Sequence, residues 1–392
     1  MDWRLTSIEI QGYRPFKEAV FTLGPLVVLV GANGAGKSSL FEFLRFLRDS
    51  AYQELPAEIV AGSIGQQIFH IPGPEKFSWK AEIDTRQSVP IVYEGEVLGP
   101  VGRVHVSSLI VRSQRPVGGN LKPFVLMEVH ERKGEAYEFD PVEDRYISQK
   151  IELTKANQSA LSIMTNPAFT TLYNLKEYLT GWRFYSSFAI ANEKIRRSVP
   201  VEQEPVLHED AGNLSSVLHY LMLEHREQFD ELQQFLRLTI PGFAGLSVKA
   251  RGGPGEVMAF WQEKGIDREL SLADLADGIL RLICWATICV HPHPPRLICI
   301  DEPDQGVHPR TLPILAGFFQ KASERTQILL ATHASYFLTQ FDLEHIAVMR
   351  KNMGRAEFVR PHDSAALRAN LEDFGPEELE ALHRSDELEQ LP

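Results

Sequence analysis

An α/β fold built around a buried parallel sheet is what this 392-residue sequence predicts. Three apolar runs carry that expectation. Leu26-Val27-Val28-Leu29-Val30 is short, β-branched and followed by a glycine-rich loop, Gly31-Ala32-Asn33-Gly34-Ala35-Gly36-Lys37-Ser38. Leu297-Ile298-Cys299-Ile300 runs directly into Asp301-Glu302-Pro303, and Gln327-Ile328-Leu329-Leu330-Ala331-Thr332 ends at His333. Continuous apolar runs of this length suit strands covered on both faces, as parallel strands are.

The loop fits G-x-x-x-x-G-K-[ST] and lies where that motif needs to be, after a strand and before a breaker-free helical stretch at residues 38–47. Its four fixed positions arise by chance on the order of once in 10⁴–10⁵ positions. Glycines let the backbone curl its N–H groups toward phosphate oxygens, and the positive end of the helix adds to that anion site. The pattern therefore implies nucleotide binding through Asn33, Gly34, Ala35, Gly36, Lys37, Ser38 and Ser39. Lys37 is expected to reach the β- and γ-phosphates, and the Ser38 hydroxyl to ligate Mg²⁺.

The second strand ends in paired acids. Asp301 is expected to hold Mg²⁺ directly or through water. Glu302 is either the base that polarises an attacking water or an acid at a helix start after a strand. Pro303 forces the chain to turn there. His333, at the end of the third strand, is either a γ-phosphate contact or a surface histidine. Lys37 and Asp301 stand 264 positions apart. Small GTPases and nucleotide kinases keep these elements much closer, so a large insertion must divide the nucleotide fold.

Further segments then fall into a pattern. Leu275-Ala276-Asp277-Gly278-Ile279 precedes the helical Leu280-Arg281-Leu282-Ile283-Cys284-Trp285-Ala286. The chain opens with Ile8-Glu9-Ile10-Gln11-Gly12-Tyr13-Arg14-Pro15-Phe16 and continues past the acids with Gly306-Val307-His308-Pro309. With Gly212-Asn213-Leu214-Ser215-Ser216-Val217-Leu218 and Thr332-His333-Ala334-Ser335, these resemble the RecF/SMC-like branch of the ABC-class ATPases. Within that branch, nearly the whole chain is similar to short bacterial ATPases that lack a coiled coil or a TOPRIM domain. The resemblance implies a P-loop ABC-ATPase head: a mixed sheet flanked by helices, an antiparallel side sheet and a helical insertion. It implies ATP and Mg²⁺ as ligands, Glu302 as general base and His333 as γ-phosphate sensor. Arg14 matches a basic residue near the nucleotide, or is a surface arginine on a hairpin. Gly278 matches the glycine of a signature loop whose N–H faces the partner's γ-phosphate, so the resemblance implies a homodimer clamped through ATP. Ala276 departs from the usual serine, whose hydroxyl donates to that phosphate. The glutamine of the Q-loop is not fixed by the sequence; Gln66, Gln67 and Gln114 are candidates.

Organised this way, residues 1–148 and 236–362 form the head, 149–235 a helical insertion, and 363–392 an acidic tail. Strands are expected at residues 79–83, 91–97, 103–111 and 124–130, and after Pro241-Gly242 at 246–250 and 257–262. Residues 214–235 carry apolar side chains at helical spacing without sustained heptads, so no long coiled coil is expected. Trp182, Phe184 and Tyr185 either pack in a core or stack on bases.

Composition limits the possibilities. Net charge is −12, with 40 basic and 52 acidic residues, against whole-surface DNA binding. Part of that excess is local, because residues 371–392 hold eight acids and one arginine. A basic groove is still possible at Lys194-Ile195-Arg196-Arg197 or among Arg103, Arg112, Arg115 and Lys122, unless these are ordinary solvated charges. No 18-residue apolar window suggests a membrane span. Cys284, Cys289 and Cys299 have no metal-ligand spacing and read as reduced core residues of a cytoplasmic protein. Two functions fit: an ATP-hydrolysing ATPase of DNA maintenance, repair or phage defence, or a slow ATP-gated scaffold controlling a separate nuclease or toxin. A transporter motor fits poorly, because the insertion is too large and the signature too divergent.

Overall fold

The computed structural model describes residues 3–56, 59, 68–86, 89–116, 121–140, 145–186, 193–352 and 355–360. The acidic tail, Gln66 and Gln67 lie outside the described residues. The described residues divide into two compact units, one within residues 1–24, 31–182 and 347–360, the other within residues 25–30 and 183–346.

The first unit holds an eight-stranded antiparallel sheet in the order Phe16–Thr22, Arg4–Tyr13, Lys76–Asp84, Ile91–Leu98, His105–Pro116, Pro123–His130, Lys133–Asp140, Arg145–Glu152. The four strands predicted between residues 79 and 130 are all present, with ends displaced by a few residues. Burial alternates along Lys76–Asp84, as a sheet with one covered face requires. The helix Lys37–Ser50 lies on that face. Its residues Leu40, Phe43, Leu44 and Leu47 recur at helical spacing and are buried. Phe46 meets the Phe77 ring at 5.4 Å and the Trp79 ring at 5.5 Å, while Phe43 meets Tyr13 at 5.0 Å. Edge-to-face pairs of this kind contribute about 0.5–1.5 kcal/mol each beyond area burial, so the helix behind the glycine loop is firmly seated.

The second unit is built on parallel strands in the order Arg183–Tyr185, Leu297–Asp301, Gln327–Ala331, Leu26–Val30. Leu26–Val30 and Gln327–Ala331 are buried at every position. The register places Asp301 opposite Ala331, and Ala331 opposite Leu29. Helices Leu214–Glu224, Arg226–Thr239, Asp277–Val290 and Leu312–Ser323 belong to this unit, together with a small sheet of Val199–Pro200, Glu256–Glu263, Phe243–Ala250 and Leu270–Ser271.

The structure differs from the sequence reading in one region. Residues 149–235 are not a wholly helical insertion, and the two units divide at Trp182 and Arg183. Arg183–Tyr185 is an edge strand of the parallel sheet, pairing with residues 298–300. Three residues are too few to show a period, and their partner strand lies more than a hundred residues downstream. Phe184 donates its N–H to the Glu209 carboxylate at 2.9 Å, and the Tyr185 hydroxyl donates to the Leu207 carbonyl at 2.8 Å. Trp182, Phe184 and Tyr185 are all buried, so the aromatic cluster serves packing. The helical stretch 214–235 is two helices, parted at His225, whose backbone leaves the helical region and whose Nε2 lies 2.8 Å from the Tyr220 hydroxyl.

Candidate functional site

The glycine loop leaves the parallel sheet at Val30 and ends in the helix Lys37–Ser50. Gly31 has φ +147°, and a Cβ there would lie 2.0 Å from the Met349 carbonyl oxygen. No other residue fits so close a backbone approach. Gly36 is the N-cap with φ 112°, no side chain caps the helix, and no acid occupies its first turn. A first turn with neither an acid of its own nor a side-chain cap suits an anion site. Lys37 is buried, and its ammonium donates to the carbonyls of Gly31 and of Ala32, the latter at 3.1 Å. Within the loop Asn33, Gly34 and Ser38 are exposed, Ser39 is half-buried, and Ala35 is buried.

Arg14 sits at the turn of the first hairpin with φ 46°. Its guanidinium donates to the Glu42 carboxylate on the helix that follows the loop, and lies 5.5 Å from the Tyr13 ring centroid. The Arg14 N–H donates to the Ile68 carbonyl at 2.9 Å, and the Arg14 carbonyl accepts from His70 Nδ1 at 2.8 Å. Arg14 is therefore tied to the helix that the loop feeds.

In the second unit, Asp301 ends its strand half-buried. Glu302 follows with φ 53° and donates its N–H to the Ala331 carbonyl at 2.8 Å. A non-glycine residue in the left-handed region costs about 1–2 kcal/mol, so the turn holds Glu302 in a conformation it would not choose alone. Asp304, two residues on, was not singled out from the sequence. Its carboxylate accepts from the Thr332 hydroxyl at 2.6 Å, and that hydroxyl accepts from the Ala334 N–H at 3.0 Å. Thr332 is fully buried and donates its own N–H to Leu29. The residues on either side of exposed His333 are thereby fastened to the turn that carries Glu302.

The loop before the helix Asp277–Val290 is the third element. Ser271 and Asp274 form a capping box around a 3₁₀ turn, Leu272–Asp274. Leu275 and Ala276 are extended, and Ala276 is the N-cap, at φ −65° and ψ 148°, without a side-chain cap bond. A Cβ on Gly278 would come 2.7 Å from the Gly306 carbonyl oxygen, so a glycine is required there by close packing within the chain. Arg281 donates to the Gln305 carbonyl at 3.0 Å, a second tie between this helix and the turn after Glu302.

The remaining candidates disperse. Gln114 donates to Glu82 at 3.1 Å on the antiparallel sheet. Arg112 pairs with Glu94 at 2.7 Å and Lys194 with Asp210 at 3.1 Å, whereas Arg103, Arg115 and Lys122 are exposed. Arg196, grouped above with a possible basic groove, turns instead onto the loop at residues 272–277. The three cysteines are buried and unbridged, and burial pushes the Cys284 and Cys289 thiols up. No helix among the described residues is long and apolar enough to cross a membrane.

A glycine-rich loop before a helix, an acid pair at a parallel strand end and a glycine-bearing loop before a long helix are elements of the ABC-type ATPase head fold. The comparisons agree. The chain belongs to the family described as "AAA domain, putative AbiEii toxin, Type IV TA system", whose profile matches residues 138–339. A further AAA-domain profile matches residues 7–77. Structural maintenance of chromosomes protein 3 of Arabidopsis thaliana is 25% identical over 248 residues, 60% of this chain, and the chain spans 18% of that relative's length. Among solved structures, the Smc head bound to the C-winged helix domain of ScpA gives a TM-score of 0.56 at 13% identity, covering 91% of this chain and 96% of that one. The Smc head domain with an extended coiled coil, bound to the C-terminal domain of ScpA derived from Pyrococcus furiosus, gives 0.55 at 12%, with the same coverage. At these identities the likeness is one of fold.

Proposed function

We propose that this chain binds ATP with Mg²⁺ and hydrolyses it to ADP and phosphate as a pair of heads clamping two nucleotides, in DNA maintenance, repair or phage defence. The observation that carries the reading is the register of the parallel sheet. Leu29, Ala331 and Asp301 lie side by side, so the strand that feeds the phosphate loop, the strand that ends at His333 and the strand that ends in the acids all finish at one edge. Ligands of open α/β sheets bind at the carboxyl ends of their strands.

In this reading Lys37 leaves its loop carbonyls for the β- and γ-phosphates, and the uncapped first turn of its helix supplies N–H donors. Glu302 accepts a proton from the water that attacks the γ-phosphorus as the bond to the bridging oxygen breaks. His333 donates to a γ-phosphate oxygen. The exposed Ser38 hydroxyl and the half-buried Asp301 carboxylate are hard oxygen donors of the kind Mg²⁺ takes. When bound there, the ion neutralises charge on the phosphate oxygens. Gly278 and its neighbours would meet the partner's nucleotide.

The test is the ATPase rate with and without double-stranded DNA at low salt, beside Glu302→Gln. Turnover that is lost in Glu302→Gln while ATP is retained supports the chemistry, and unchanged turnover removes Glu302 from its role. DNA stimulation supports the first pathway. A second reading, a slow ATP-gated scaffold that restrains a nuclease or toxin, is favoured by the missing hydroxyl at Ala276 and by the toxin named in the family description. Slow turnover indifferent to DNA selects it.

A further inference from the structure

Arg196 stands on a short 3₁₀ turn, Glu193–Arg196, far in sequence from the loop that precedes Asp277–Val290. Its Nη1 donates to three backbone carbonyls, Leu272 at 3.2 Å, Ala273 at 3.0 Å and Leu275 at 3.0 Å. Its Nη2 donates to the Asp277 carboxylate at 2.6 Å. Nη1 has two hydrogens and three acceptors, so at least one is shared. The carbonyls it reaches belong to the stretch where the 3₁₀ turn gives way to extended backbone at Leu275 and Ala276. One planar fork thus gathers the carbonyls of a non-repetitive loop and the first residue of the helix. A lysine ammonium has no such fixed geometry.

We propose that Arg196 is a positioning residue for the signature loop: it fixes Leu275, Ala276 and Asp277 in the shape that presents the helix N-terminus and Gly278 to the nucleotide of a second head. The inference rests on the paired-head reading above. The Arg196 side chain is 22% exposed and the Asp277 side chain 58%, so solvent screens the ion pair and the fork's hold rests chiefly on the backbone carbonyls. The guanidinium also neutralises Asp277, which would otherwise hold a negative charge where an incoming phosphate must approach. Arg196 thereby does two things at once, shaping the loop backbone and removing a like-charge obstacle.

The experiment uses the full chain in the Glu302→Gln background, where hydrolysis does not drain the closed state. ATP-dependent self-association is measured by sedimentation, nucleotide affinity of the single chain by a fluorescent ATP analogue, and amide exchange across residues 272–279 by mass spectrometry. Arg196→Lys keeps the charge and loses the fork. The expected result is self-association weakened by about tenfold or more, the loss of a hydrogen bond to a charged group. Single-chain nucleotide affinity stays within about twofold, because the fork touches no residue of the phosphate loop, and exchange at 272–279 rises. Asp277→Asn in the same background separates neutralisation from shaping: it should change self-association less than Arg196→Lys does. Equal self-association of Arg196→Lys and its parent overturns the inference while leaving the paired-head reading intact. A general fall in thermal midpoint with parallel losses in nucleotide affinity also overturns it, since that marks a merely structural arginine. If Glu302→Gln itself fails to associate with ATP, the paired-head reading falls and takes this inference with it.

Discussion

Ala276→Ser adds one oxygen at a position where the structure gives it two uses. Ala276 is the N-cap of Asp277–Val290, extended at φ −65° and ψ 148°, with no side-chain cap. A serine there accepts from the N–H of Gly278 or Ile279, and such a cap stabilises by about 1 kcal/mol relative to alanine. For a unit of this size that raises the thermal midpoint by about 2–4 °C. The same hydroxyl keeps its hydrogen when its lone pair is used by the cap, so it can still donate to a phosphate oxygen of the partner. That second bond, to a charged acceptor, is worth about 1.5–3 kcal/mol, or roughly tenfold to a hundredfold per nucleotide in the association constant. The two effects separate by nucleotide. The midpoint rise appears without ATP, and the gain in association only with it. Differential scanning fluorimetry of the free chain and sedimentation of the Glu302→Gln form with ATP read them independently. A raised midpoint with unaltered ATP-dependent association refutes the idea that this loop reads a partner's phosphate. An unaltered midpoint refutes the assignment of Ala276 as a cap.

Other outcomes follow from the same structure. Glu302→Gly removes the left-handed strain at φ 53° and should raise the unfolding free energy by about 1 kcal/mol while abolishing turnover; a midpoint that falls would show that the turn is not strained. Thr332→Val deletes the hydroxyl between Asp304 and the Ala334 N–H, and should cost about 1–3 kcal/mol in urea unfolding and slow ATP hydrolysis; unchanged turnover would disconnect the two segments. His291 is buried with Nε2–H donating to the Pro205 carbonyl and Nδ1 accepting from the His293 N–H, and burial lowers its pKa from 6.5. The unfolded chain therefore binds the proton first, so this stability is complete above the unfolded pKa and is lost as pH falls through the lower, folded one. His291→Gln should flatten the acid limb of midpoint against pH, and an identical limb in both proteins would assign it to other groups.

Much of this was legible because the informative residues sit where local rules are strict. A glycine loop after Leu26–Val30, acids after a buried strand and a histidine after another each show in a few consecutive residues, and the strands are where the runs predicted them. What escaped depends on partners distant in sequence. Arg183–Tyr185 is a strand only because Leu297–Asp301 lies beside it. Arg196 reads as one member of a basic cluster, and nothing near it announces that it will bond to carbonyls some 76 to 79 residues downstream. Asp304 shows its role only once Thr332 is brought to it. The break at His225 has no glycine or proline to mark it.

The parallel sheet has a consequence for how the chain is made. Leu26 pairs with Ile328, so the strand that feeds the phosphate loop emerges long before its neighbour. At ordinary rates of synthesis that interval is roughly 15–60 s. Throughout it, five consecutive apolar residues lack the strand that will cover them, while the antiparallel sheet, whose adjacent strands are mostly consecutive in sequence, can already close. The antiparallel sheet of residues 4–152 should therefore be fold-competent on the ribosome, and Leu26–Val30 should gain its parallel neighbour only once residues 327–331 have emerged. A nascent chain halted before residue 327 should expose Leu26–Val30 to chaperones, and one released after residue 360 should not.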